Sequence, residues 1–132
     1  MLRVDPRSST PIYEQVELRI KELILKGALK QGEKLPSVRE LSSMLTINPN
    51  TISKAYGELE RDGIIETLRG KGTFVTQNFK GIIDEKRITH ITEQLKNIIL
   101  EASYVSVSKD EFISIVEKIF NELGVKKSDS SK

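Results

Sequence analysis

The sequence predicts a mainly α-helical chain with one small β-hairpin: three helices, the hairpin, then two more helices. Three observations point there. Apolar residues recur in steps of three and four through five separate stretches, the period of a helix face. Helix-start signals stand before three of them: the capping boxes "SVRE" (Ser37 to Glu40) and "SKDE" (Ser108 to Glu111), and the pair Asn48-Pro49. A single segment, "IIETLRGKGTFVT", changes to β-branched residues around closely spaced glycines.

The first helix is expected to begin at Pro11 with Thr10 as N-cap, to bury Ile12, Val16, Ile20, Leu23 and Ile24, and to close at Gly27. "LKQGEKLP" reads as a loop. Ser37 then caps a second helix, with Val38, Leu41, Met44 and Leu45 facing inward. Thr46-Ile47-Asn48 connects it to a third helix, which has Pro49 in its first turn and a hydrophobic staple between Ile47 and Ile52. Ile52, Ala55, Tyr56 and Leu59 form its buried stripe, and Asp62-Gly63 ends it. Two helices joined this closely suggest a helix-turn-helix. Strands over residues 64–68 and 73–76 flank the turn Arg69-Gly70-Lys71-Gly72, whose glycines supply the positive φ of a tight hairpin. Three helices followed by this hairpin have the order of a winged helix-turn-helix over residues 1–76.

Residues 77–84 read as a linker and 125–132 as a polar, disordered tail. Between them, residues 85–124 form a two-helix region. Ile88, Ile91, Leu95, Ile98 and Ala102 follow the spacing of a helix seam, and Phe112, Ile115, Val116, Ile119, Phe120 and Leu123 line one side of the last helix, stopped by Gly124. Two amphipathic helices by themselves leave too much apolar surface in water. Pairing with a second copy is the favoured remedy, and packing on the first helix is the alternative. The dimerisation residues are therefore Ile88, Ile91, Leu95, Ile98, Ala102, Phe112, Val116, Ile119 and Phe120.

Composition narrows the chemistry. The 132 residues contain no cysteine, which excludes a disulfide framework, a thiol nucleophile and a cysteine zinc site. No run approaches the ~20 apolar residues of a membrane span, and the start lacks a secretory signal, so a cytoplasmic protein with no membrane partner is expected. Net charge is +2. Residues 1–78 hold 12 basic and 10 acidic side chains, and residues 79–132 hold nine of each. Nucleic-acid binding therefore needs local clustering of cations.

The third helix offers such a surface. Away from its buried stripe it carries Asn50, Thr51, Ser53, Lys54 and Gly57, small and polar where a solvated helix carries Glu and Lys. Asn pairs bidentately with adenine, Lys reaches guanine or phosphate, and a Thr methyl meets that of thymine, all near a recognition helix's N-terminus. Gly57, costly in a helix, suggests close approach of DNA or of another part of the protein. Arg69 and Lys71 put cations at the hairpin tip, Gly70 and Gly72 let backbone come close, and Arg39 adds a cation on the same side. Each feature alone also fits an ordinary solvated surface; their convergence favours double-stranded DNA.

Other chemistries fit poorly. "GKGTF" is not a phosphate loop, because glycine separates Lys71 from Thr73 and a strand follows. His90 is the sole histidine and reads as a surface or interface residue, and Glu58, Glu60 and Glu66 read as solvated charges. No enzyme, metal or cofactor is expected.

Residues 11–75 closely resemble the winged-helix domain of the GntR family of bacterial transcription regulators. The resemblance rests on G-x-x-L-P-S-x-R-x-L from Gly32 to Leu41, N-T-I-x-x-A-Y from Asn50 to Tyr56, L-x-x-x-G-I-I from Leu59 to Ile65, and R-G-x-G-T-F-V from Arg69 to Val75. It implies DNA contacts at Ser37, Arg39, Asn50, Thr51, Lys54, Arg69, Gly70, Lys71 and Gly72. Most members carry a much larger effector domain than the residues after this wing can form. "PIYEQV" and "NPNTISKAY" are instead similar to the small YtrA-type subfamily. That resemblance implies a two-helix dimerisation tail and repression of ABC-transporter genes, and the two-fold symmetry of a dimer points to an inverted-repeat operator. Two rival readings are a winged helix that binds a protein, and a regulator released by an unknown small-molecule effector at the dimer interface.

Overall fold

A computed structural model describes residues 2–77 and 85–124. The chain divides into two units, Met1–Phe79 and Lys80–Lys132. The expected linker, apart from Gln77, and the expected tail lie outside the described residues.

In the first unit, α1 (Ile12–Leu25), α2 (Val38–Leu45) and α3 (Pro49–Arg61) pack with three strands: β1 (Lys34–Leu35), β2 (Ile65–Leu68) and β3 (Gly72–Val75). The sheet order is β1-β3-β2, antiparallel throughout. β1 corrects the loop expected at "LKQGEKLP". Two residues are too few to show a period, and pairing along the free edge of β3 makes them a strand. Lys34 stands opposite Phe74 and Leu35 opposite Thr73. Hydrogen bonds from Gly32 N–H to the Val75 carbonyl (2.8 Å) and from Val75 N–H to the Glu33 carbonyl (2.9 Å) extend the pairing.

The core is Val16, Ile20, Leu35, Leu41, Ile52, Ala55, Tyr56, Leu59, Ile65 and Val75. A fully buried Ile, Leu or Val is worth about 1.5–3 kcal/mol, so this small cluster is the main source of stability for the unit. Tyr56 enters it with a polar end, and its hydroxyl donates to the Pro36 carbonyl at 2.6 Å. Burial, with the charge of Glu40 adding to it, pushes the Tyr56 phenol up to about 12.

Two expectations in the helices need correction. Thr10 does not cap α1. Pro11 occupies the N-cap, and its carbonyl accepts from Gln15 N–H at 3.1 Å. The buried Gln15 side chain instead pins the N-terminal arm, donating to the carbonyls of Asp5 (2.9 Å) and Thr10 (2.8 Å) and accepting from Asp5 N–H (2.7 Å). Met44 faces outward, 66% exposed. The inward stripe of α2 runs through Val38, Leu41 and Leu45, and Ser42 is buried where the hydrophobicity pattern shows only a polar residue. The Ser42 hydroxyl donates to the Ile47 carbonyl and its own carbonyl accepts from Ile47 N–H, which clamps the turn into α3. Within that turn Thr46 is left-handed, with φ 56°.

The second unit holds α4 (Glu85–Tyr104) and α5 (Lys109–Leu123). The Ser108 capping box is present, and Gly124, with φ 72°, ends α5. Neither helix buries a residue fully. Ala102, Phe112, Val116 and Leu123 are half-buried. Ile88, Ile91, Leu95, Ile98, Ile115, Ile119 and Phe120 remain exposed. No helix among the described residues is long and apolar enough to cross a membrane.

Candidate nucleic-acid interface

The predicted DNA-contacting residues all lie in the first unit, on three elements. α3 starts from a capped end: Asn48 Oδ1 accepts from Asn50 N–H at 2.7 Å, with Pro49 in the first turn. Capping satisfies the Asn50 backbone and leaves its side-chain amide exposed. Ser53, Lys54 and Gly57 are exposed along the same outward surface, whereas Thr51 is half-buried. The inward side is the expected stripe of Ile52, Ala55, Tyr56 and Leu59. A Cβ placed on Gly57 meets nothing within 4 Å, so no other described part of the protein comes close to it. The space beside it is open among the described residues.

Lys54 is held from beneath. Its Nζ lies 4.1 Å from the centre of the Tyr13 ring, a cation–π contact between α3 and α1. Tyr13 itself packs against the core, so it is a firm platform. The helical period of α1 marks Tyr13 only as a flank of the apolar stripe, and nothing in the sequence pairs it with Lys54.

At the start of α2 the Ser37 hydroxyl accepts from Glu40 N–H (3.0 Å) and Glu40 Oε1 accepts from Ser37 N–H (2.8 Å). The Ser37 hydroxyl proton remains available to an incoming acceptor. Arg39 is exposed within the first turn of that helix. The wing tip is Arg69-Gly70-Lys71, exposed and closed by Lys71 N–H to the Leu68 carbonyl at 2.9 Å. Gly70 and Gly72 have φ of 76° and 120°, a region where a side chain is strained.

Among the described residues, the cations of this surface are not tied up in ion pairs, a feature they share with others of the unit such as Arg3, Lys26 and Lys30. Arg19 pairs with Glu22 (3.2 Å), Lys21 with Asp62 (3.7 Å) and Arg61 with Glu58 (2.8 Å). Among the described residues, Arg39, Arg69 and Lys71 have no such partner. Cations left unpaired on a helix start and a wing tip are free to meet phosphates. No group of His, Asp or Glu among the described residues is arranged to hold a metal.

Residues 12–75 match the family model described as "Bacterial regulatory proteins, gntR family". Over 130 residues, 98% of this chain and 100% of the relative, the sequence is 52% identical to the HTH-type transcriptional repressor YtrA of Bacillus subtilis. The chain belongs to the GntR family. Its fold is similar to the crystal structure of a transcriptional antiterminator from Listeria monocytogenes, with a TM-score of 0.89, 38% identity and coverage of 93% of this chain and 92% of that one. It is also similar to the DNA-binding domain of AraR in complex with operator ORX1, with a TM-score of 0.51 and 34% identity over 57% of this chain and 93% of that one. This GntR protein is a DNA-binding transcriptional regulator and not an enzyme.

Proposed function

We propose that this GntR regulator is a repressor that binds an inverted-repeat operator as a homodimer, with an ABC-transporter operon as its target. The observation that carries the reading is the pair of surfaces on the two units. One bears unpaired cations and a small polar helix face. The other bears an apolar stripe from Ile88 through Ile98 and on to Phe120 that is exposed in the single chain. A second copy covering that stripe removes it from water and places two α3 helices on one duplex, about one helical turn apart or a multiple of it. Similarity to the repressor YtrA along the whole chain supports repression, and the transporter target rests on the subfamily resemblance alone.

In this reading Asn50, Thr51 and Lys54 read base edges. Ser37, Arg39, Arg69 and Lys71 bind phosphates, and Gly70 and Gly72 bring the wing backbone close. The test is fluorescence anisotropy with DNA from upstream of the gene, over a salt series and against unrelated competitor DNA. Specific binding, linear in log[salt] and with two protomers per site, is the expected result. Absence of any preference over unrelated DNA, or binding by one protomer only, would sink the proposal.

A further inference from the structure

We propose that Lys34 is an additional phosphate-binding residue, placed by β1 between the wing and the start of α2. The inference rests on the operator-binding reading and adds a contact that the sequence motifs do not mark. Leu35 is buried, so its neighbour on a strand points to the opposite, outward face. Lys34 stands opposite Phe74, and its chain leans diagonally across Gly72. A Cβ on Gly72 would lie 2.8 Å from Lys34 Cε and 3.6 Å from Nζ. Glycine at that position therefore has two roles: it allows φ of 120°, and it leaves a channel for the lysine stem beside the wing.

On its other side Lys34 lines one open groove with Leu35, Pro36, Arg39, Glu40 and Met44. Lys34 thus bridges two cation-bearing elements, the wing and α2, that are separate in sequence. Among the described residues its ammonium has no hydrogen bond or ion pair. Glu40, the acidic residue of this groove, is engaged in the Ser37 capping box. A free ammonium on this track, held by its alkyl stem against backbone, suits a point-charge contact to phosphate better than base reading.

The test uses the full chain with Lys34→Met, which keeps an unbranched stem over Gly72 and removes the charge, and Lys34→Arg, which restores it. Anisotropy is measured from about 50 to 200 mM salt with operator and with unrelated DNA. Lys34→Met should weaken both DNAs by a similar factor, about tenfold at low salt. It should also flatten the slope of log K against log[salt] by about 0.9 per bound protomer. Lys34→Arg should recover both. Unchanged affinity and slope in Lys34→Met, with the wild type binding normally, overturn the assignment of Lys34 alone. A loss confined to the operator overturns the phosphate assignment in favour of base contact. A wild type that binds no DNA overturns this inference and the operator reading together.

Discussion

Replacing Gly57 by alanine should move stability and DNA affinity in opposite directions. Gly57 lies inside α3, has an ordinary helical backbone, and offers open space where a methyl group would go. Alanine at such a site gains about 1 kcal/mol, because glycine gives up more backbone freedom on folding. For a unit of this size that is a rise of roughly 4–8 °C in melting temperature. If α3 enters the major groove, the same methyl meets the duplex. By analogy with overpacking in cores the overlap costs about 1–3 kcal/mol, a loss of roughly five- to 150-fold in affinity. Calorimetry and operator titration on one preparation read both effects. No rise in melting temperature refutes the account of glycine as a helix-weakening residue. A rise with unchanged affinity refutes close approach of the DNA at this turn.

Substitutions at three further positions probe separate features of the molecule. Tyr56→Phe removes the bond to Pro36 and should cost about 0.5–1.5 kcal/mol at neutral pH. The folded phenol ionises near 12 and the unfolded one near 10, so its contribution is complete below about 10 and is lost as pH rises from about 10 to about 12. Denaturant titrations should show a steeper alkaline fall in wild type than in Tyr56→Phe, and equal slopes would contradict the assignment. Tyr13→Leu should release Lys54 and narrow the preference for operator over unrelated DNA, by about 0.5–1 kcal/mol, while Tyr13→Phe keeps the ring and the preference; competition titrations that fail to separate the two variants would show that the ring does not position Lys54. Leu95→Asp puts a charge in the exposed stripe of α4 and should yield a monomer in sedimentation equilibrium, whereas a persistent dimer would remove this helix from the interface.

Much of the fold was legible because its signals are local. The capping boxes at Ser37 and Ser108 and the Asn48-Pro49 start depend on neighbours within one helical turn, and all three form as expected. The stripe Ile52, Ala55, Tyr56 and Leu59 obeys a period that any packed helix must obey. The turn at Arg69 to Gly72 was equally plain, since only glycine takes those φ values readily.

What failed depended on particular pairings that a hydrophobicity period does not show. β1 exists because β3 has a free edge, and two residues cannot announce that on their own. Met44 is exposed and Ser42 buried, and the Ser42 hydroxyl bonds the Ile47 carbonyl five residues on, a contact that a hydrophobicity period does not show. The left-handed Thr46 is part of the same closure.

The candidate site divides the same way. Sequence alone singled out side chains whose chemistry suits DNA and the elements that carry them, through helical period and through resemblance to a family. Tertiary structure alone decided that Tyr13 lies under Lys54, that Lys34 crosses Gly72 toward the groove of Arg39, and that Lys21 pairs with Asp62. These are relations between residues far apart in the chain, and they come into being only when the core brings their elements together.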